Sequence, residues 1–257
     1  MDLGLNNKIA LITGSGRGIG KAVALGLAKE GCKIIVVSRT KSELNQVLKD
    51  AGGKSKGHLA IVRDLTKKGS PQKLISLLKS KIGLPDIVVH NLGGALDTRD
   101  PFCSMEDFNK IYRLNFEIAV ELNLDFLPAM QKNKWGRIIH VSSIAGAENQ
   151  GPIPYCCAKA ALNAYVRSMG GIVGRDNVVL SSILPGAVFT EKGYWDQQRK
   201  INPKHVKKFI EERQRIGRFG SPKEIADMIV FLSSELASFN TGSIIPVDGS
   251  QGRGYFG

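Results

Sequence analysis

The sequence predicts an α/β fold, a three-layer α/β/α sandwich on a parallel, seven-stranded sheet. Three observations predict it. Short apolar, β-branched runs recur along the 257 residues. Longer segments of helical character separate them. The runs are apolar throughout rather than alternating, as in strands covered on both faces.

Taken in order, the first strand is Ile9–Thr13, and a glycine-rich turn leads from it into a helix over 18–30. The second strand, Lys33–Val37, precedes a helix over 41–51, and the third, Leu59–Arg63, precedes one over 70–81. The fourth, Ile87–His90, is followed by a long helix over 105–132. The fifth, Arg137–Val141, leads to a helix over 155–174, and the sixth is Val178–Leu184. Residues 190–219 then break the rhythm, a stretch too long for a simple connection and therefore a candidate substrate lid. A helix over 222–236 and a strand at Ile244–Val247 complete a chain whose length suits one α/β domain over residues 1–257.

Bulk properties narrow the function. Hydrophobic residues make up 42% and charged residues 23%, an ordinary composition for a soluble protein. No apolar run approaches the ~18 residues of a membrane helix. The start, MDLGLNNK, carries Asp2 and no apolar signal core, which points to the cytoplasm. Cys32, Cys103, Cys156 and Cys157 form no CxxC pair, and His58, His90, His140 and His205 are scattered, so no metal site is expected. Cys156 and Cys157 read as helix packing residues rather than a disulfide. The net charge of +13 and pI near 9.7 would suit nucleic acid, an acidic partner or an anionic substrate.

The turn after the first strand reads Thr13-Gly14-Ser15-Gly16-Arg17-Gly18-Ile19-Gly20. Glycines there allow a tight turn and a close backbone approach to a pyrophosphate, and the following helix start favours negative charge. Strand, glycine loop and helix in this order make a Rossmann-like dinucleotide site. The end of the second strand, Ser38-Arg39-Thr40-Lys41, has no carboxylate before Glu43. Arg39, with Arg17 from the loop, can instead pair with a 2′-phosphate, which predicts NADP(H); otherwise both arginines are solvated surface residues. Asp64 after the third strand can accept from the adenine amino group or cap the next turn. Asn91-Leu92-Gly93-Gly94 after the fourth strand places backbone beside the cofactor ribose.

Tyr155 and Lys159 lie four apart on one helix face. A nearby ammonium and the helix N-terminus should both lower the tyrosine pKa, giving an acid/base for a carbonyl or alcohol oxygen. Ser143, at the end of the fifth strand and twelve residues before Tyr155, can hydrogen-bond the same oxygen. Asn115, within the long helix, reads on its own as a packing polar residue.

These motifs resemble the short-chain dehydrogenase/reductase family in its compact form. The resemblance runs through Thr13–Gly20, Asp64, Asn91-x-Gly93, Asn115, Ser143, Tyr155, Lys159, Pro185-Gly186, Thr190 and Val247-Asp248-Gly249. It implies that Ser143 polarises the carbonyl and that Tyr155 is the acid/base. Lys159 would tune Tyr155 and hold the nicotinamide ribose, and Asn115 would support a proton relay. It adds Leu65, Pro185, Gly186, Val188 and Thr190 to the cofactor contacts, Thr190 facing the carboxamide. Between Ser142 and Ser143 the second is chosen, because the family's serine usually follows another small residue. Homotetramers formed through the fourth and fifth helices and the C-terminal region are the family's habit.

Two departures stand out. His90-Asn91-Leu92-Gly93 replaces the family's Asn-Asn-Ala-Gly, so that His90 is either a satisfied core residue or an alteration of the cofactor pocket. The end, Gly249-Ser250-Gln251-Gly252-Arg253-Gly254-Tyr255-Phe256-Gly257, is long and glycine-rich, and could reach a partner's active site.

Residues 191–219 hold nine basic and four acidic residues, together with Tyr194 and Trp195. A basic, aromatic lid suggests an anionic carbonyl substrate, free or carrier-bound; a solvated helix face is the bland reading. The leading function is an NADP(H)-dependent oxidoreductase resembling 3-oxoacyl-acyl-carrier-protein reductases, with acyl carrier protein as a possible partner. Lys134 and Arg175 fall near basic carrier contacts of that subgroup. The second reading is a dehydrogenase or reductase of a sugar or nucleotide-activated sugar in surface-polysaccharide synthesis. A non-catalytic dinucleotide sensor or nucleic-acid binder is the remaining class, and the Ser–Tyr–Lys–Asn set argues against it.

Overall fold

A computed structural model describes residues 1–96 and 98–254; Tyr255, Phe256 and Gly257 of the glycine-rich end lie outside the described residues. Seven strands form one sheet in which every neighbouring pair is parallel. They are β1 (Ile9–Thr13), β2 (Lys33–Ser38), β3 (Leu59–Val62), β4 (Ile87–His90), β5 (Gly136–Val141), β6 (Val178–Pro185) and β7 (Ser243–Val247). Their spatial order is 3-2-1-4-5-6-7. The chain therefore works outward from β1 and then returns to start again at β4. Between β1 and β4 the following segments leave in opposite directions, which opens a crevice at the carboxyl edge where ligands of such sheets bind.

Alternate residues of the inner strands feed two cores. Ala10, Ile12, Ile34 and Val36 pack with α1 (Gly18–Lys29), α2 (Lys41–Asp50) and α9 (Pro222–Leu232). Leu11, Ile35, Val88 and Ile138 pack with α3 (Ser70–Lys81), α5 (Ile118–Lys132) and α6 (Ile153–Val173) on the opposite face. Strands buried on both sides have no solvent face to carry polar residues, hence the unbroken apolar runs.

Three boundaries differ from the sequence expectation. The helix expected over 105–132 is α4 (Met105–Tyr112) and α5, joined by a wider π turn at Arg113–Glu117. Its cause lies in Asn115, described below. The last helix stops at Leu232 rather than 236 because Ser233 and Ser234 donate their hydroxyls back to the carbonyls of Ile229 and Phe231. Residues 190–219 contain two helices, α7 (Tyr194–Ile201) and α8 (Pro203–Arg213). Trp195 holds them together, with ring centroids 4.2 Å from Phe209 and 4.7 Å from Phe219.

Candidate active site

A cleft of about 960 Å³ runs along the carboxyl edge of the sheet. One end is the glycine loop. Gly14 and Gly18 have φ of +64° and +56°, a region other residues enter at a cost. At Gly20 a Cβ would lie 2.5 Å from Asn91 Nδ2 and 2.6 Å from the Gly14 carbonyl, so only glycine lets α1 start this close to β4. Asn91 in turn donates to the carbonyls of Thr13 (3.2 Å) and Gly14 (2.9 Å), bracing the loop. No side chain caps α1 and no carboxylate lies in its first turn. Its first N–H groups are thus left for an anion, as a pyrophosphate site requires.

Gly14, Gly16, Gly18 and Ile19 line the cleft, as do Ser38, Arg39, Asp64 and Leu65. Asn91, Gly93, Pro185, Gly186, Val188 and Thr190 line it farther along. Ser15 does not. It is fully buried, donating to the Ile12 carbonyl and accepting from Val37 N–H, both at 2.9 Å, and so stitches β1 to β2. Gly20 also stays off the cleft wall and acts through packing alone.

At the adenosine end, two expected contacts already have partners. The Arg17 guanidinium donates to the Lys192 carbonyl at 3.0 Å instead of joining Arg39. Asp64 caps the next turn, its Oδ1 accepting from Thr66 N–H (3.0 Å) and Thr66 Oγ1 (2.6 Å). That hydroxyl bond is the main reason its carboxyl lies below the ordinary range, with Arg39 adding charge attraction. The sequence reading passed over Glu43. It lines the same corner, and its Oε2 fills the space a Cβ on Gly16 would need.

The other end holds the candidate catalytic residues. Ser143 and Tyr155 both line the cleft here, the Ser143 side chain favouring the phenolate, and Ser143 Oγ accepts from Ala145 N–H at 3.1 Å. Ser142 is spent elsewhere, its hydroxyl donating to the Lys159 carbonyl at 3.4 Å. Lys159 is buried, donates to the Val141 carbonyl at 2.8 Å, and sits 5.6 Å from the centre of the Tyr155 ring. The expected lowering of the Tyr155 pKa is not found in the chain alone. Burial pushes the phenol up, and the neighbouring Ser143 side chain offsets only part of that rise. Burial also lowers Lys159 to about 7, so its charge is itself weakened near neutrality.

Asn115 stays off the cleft wall, buried in the π turn. Its Oδ1 accepts from Gly94 N–H (2.9 Å), and its Nδ2 donates to the carbonyls of Gly94 (2.8 Å) and Ile111 (2.9 Å). These bonds occupy the amide and hold the turn open. A Cβ on Gly93 would lie 2.7 Å from Asn115 Oδ1 and 3.1 Å from Lys159 Nζ, so the three residues meet at one point.

His90 belongs to the core. Its Nε2 is 2.8 Å from Asn123 Oδ1, while Asn123 Nδ2 reaches His140 Nε2 (3.2 Å) and donates to Tyr165 Oη (3.3 Å). Burial lowers His90 to about 4 and drives His140 well below its ordinary value. Of the neighbouring cysteines, Cys156 donates to the Gly151 carbonyl, whereas Cys157 is exposed.

The 190–219 segment contributes Thr190 and Trp195 to the cleft, but none of its nine basic side chains. Arg199 and Lys200 pair with Asp196, Lys207 with Glu211, Lys208 with Glu212, and Arg218 with Glu224. Much of the charge therefore sits on solvated faces, as the bland reading held. Lys134 is likewise paired, with Asp176.

Gln251 to Gly254 of the tail fold back onto the same chain. Gln251 Oε1 accepts from Ala187 N–H (2.7 Å) and Gln214 Nε2 (2.6 Å), and its Nε2 donates to Gln150 Oε1 (3.2 Å). Glu148 accepts from the N–H groups of Arg253 and Gly254. The tail thus joins the loop between Ser143 and Tyr155 to the end of α8.

Residues 14–250 match a family model described as enoyl-(acyl carrier protein) reductase. The chain is 31% identical to the 3-oxoacyl-[acyl-carrier-protein] reductase of Aquifex aeolicus, over 97% of this chain and 99% of that protein. Among solved structures, a 3-oxoacyl (acyl-carrier-protein) reductase from Agrobacterium tumefaciens with NADP bound is 29% identical. Its TM-score is 0.88, with 96% and 95% of the two chains covered. L-sorbose reductase from Gluconobacter frateurii, complexed with NADPH and L-sorbose, is 30% identical with a TM-score of 0.91, over 99% and 100%.

Proposed function

The chain belongs to the short-chain dehydrogenase/reductase family, and from that premise we propose that it is an NADP(H)-dependent oxidoreductase interconverting a carbonyl and a secondary alcohol. The observation that carries this reading is the meeting of Ser143, Tyr155 and buried Lys159 in one cleft with the glycine loop, Lys159 Nζ lying 5.6 Å from the centre of the Tyr155 ring. The adenosine end would be held by Ser38, Arg39 and Leu65, the pyrophosphate by Gly14, Gly16, Gly18 and Ile19, and the nicotinamide end by Asn91, Gly93, Pro185, Gly186, Val188 and Thr190. Bound there, the coenzyme supplies or takes up a hydride.

The chain's own residues handle the proton. Ser143 donates to the substrate oxygen and orients it. Tyr155, kept protonated by its burial, delivers a proton to that oxygen as the carbonyl is reduced. Lys159, titrating near neutrality, can replace that proton. Asn115 keeps the π turn and the Gly93-Gly94 backbone in place around them. The whole chain acts as one catalytic domain with residues 190–219 as its lid. Cytoplasmic location and a homotetramer follow from the family resemblance.

A 3-oxoacyl thioester, free or on acyl carrier protein, is the first substrate class, because reductases of that type match over nearly the whole chain. A sugar ketone is the second, favoured by the full-length likeness to L-sorbose reductase. NADPH oxidation with a panel of 3-oxoacyl thioesters and ketosugars separates them; no turnover of any thioester overturns the first. Tyr155→Phe is expected to lower turnover by about 10²–10⁴ with NADPH binding intact. Full turnover in that variant overturns the mechanism.

A further inference from the structure

The adenosine corner carries two opposed signals. Arg39 is a cation at the end of β2, suited to a 2′-phosphate. Glu43, in the first turn of α2, comes back to the same corner. A Cβ placed on Gly16 would meet Glu43 Oε2 at 2.6 Å and Ser38 Oγ at 3.0 Å, so the carboxylate rests directly on the glycine loop. Among the described residues Glu43 has neither an ion-pair nor a hydrogen-bond partner, although Arg17 and Arg39 line the same cleft. A carboxylate beside an adenosine ribose accepts from a 2′-hydroxyl and repels a 2′-phosphate.

We propose that Glu43 is a specificity-determining residue that weakens the preference for NADP(H) over NAD(H) set by Arg39. This rests on the dinucleotide reading of the cleft. A 2′-phosphate entering the corner must approach the Glu43 carboxylate or displace it, whereas a 2′-hydroxyl finds an acceptor there. The corner then reads both dinucleotides, with Arg39 and Glu43 pulling in opposite directions.

Equilibrium titration of the intact chain with NADPH, NADH and 2′,5′-ADP, followed by calorimetry, tests this without turnover. Glu43→Gln keeps the size and removes the charge. It is expected to tighten NADPH and 2′,5′-ADP by about tenfold, the scale of one like-charge contact in partly exposed surroundings, while NADH is unchanged or weaker. Glu43→Ala should move the same ratio in the same direction. An equal change for NADPH and NADH, or no change for either, overturns the proposal. If the unaltered chain binds none of the three probes, the dinucleotide reading fails instead, and that outcome is distinct from the first two.

Discussion

Replacing His90 by Asn should flatten the acid sensitivity of the fold. In the unfolded chain this imidazole takes a proton near 6.5, whereas in the fold burial keeps it neutral down to about 4, the Asn123 bond offsetting only part of that cost. The folded pKa is depressed, so the unfolded state binds more protons between those values. Stability is complete above pH 6.5 and is lost as pH falls toward 4. One such group contributes about 1.4 kcal/mol per pH unit, or roughly 3 kcal/mol across the window. His140, whose ring centre lies 4.8 Å away at a 30° tilt and which is shifted the same way, adds a second slope that the variant retains. Asparagine cannot titrate and leaves a void, which should cost about 1–2 kcal/mol at pH 7.5. Urea midpoints of both proteins between pH 7.5 and 4.5 are the assay. On acidification the difference should shift by about 2–3 kcal/mol in favour of the variant, closing the gap and then reversing it. Parallel curves would refute the claim that His90 folds neutral.

Three further outcomes follow from the geometry. Gly20→Ala forces a methyl group against Asn91 and the Gly14 carbonyl and should cost about 1–3 kcal/mol in chemical denaturation, together with weaker NADPH binding; an unchanged midpoint would mean the loop yields freely. Gln251→Leu strands the Ala187 N–H and the Gln214 amide and leaves the Gln150 oxygen with Arg213 alone, and should cost about 2–4 kcal/mol and speed amide exchange at 148–151 and 187. Gln251→Glu keeps both acceptor bonds and should lose less, and equal losses would refute the hub. In an ultraviolet titration without nucleotide, the difference between the unaltered chain and Tyr155→Phe should show phenolate only above pH 10; a signal below pH 8 would contradict the upward shift.

The readable parts of this molecule are those whose cause is local. Strands such as Ile34–Val37 announce themselves because both faces are buried, and Tyr155 with Lys159 because one helical turn carries both. Side-chain destinations depend on distant competitors. Arg17 turns to the Lys192 carbonyl, and no spacing near the glycine loop foretells that. The π turn is written in Asn115's grip on Gly94, 21 residues away. Glu43 is past the strand in sequence, yet α2 doubles back and returns it to Gly16. The meeting of Gln150, Gln214 and Gln251 has no local pattern at all, since separations of 37 and 101 residues are closed only by the finished fold.

The packing of α9 on α1 sets an order of events during synthesis. Gly26 lies so close to α9 that an added Cβ would be 2.9 Å from Val230. The face of α1 that carries Val23, Ala24 and Leu27 is covered by a helix made more than 190 residues later. A nascent chain holding every glycine of the cofactor loop therefore still exposes that apolar face until Leu232 has left the ribosome. The first-made half waits on the last, and a chain interrupted inside the 190–219 segment would have the sticky surface of an aggregation-prone intermediate despite owning all of its candidate catalytic side chains.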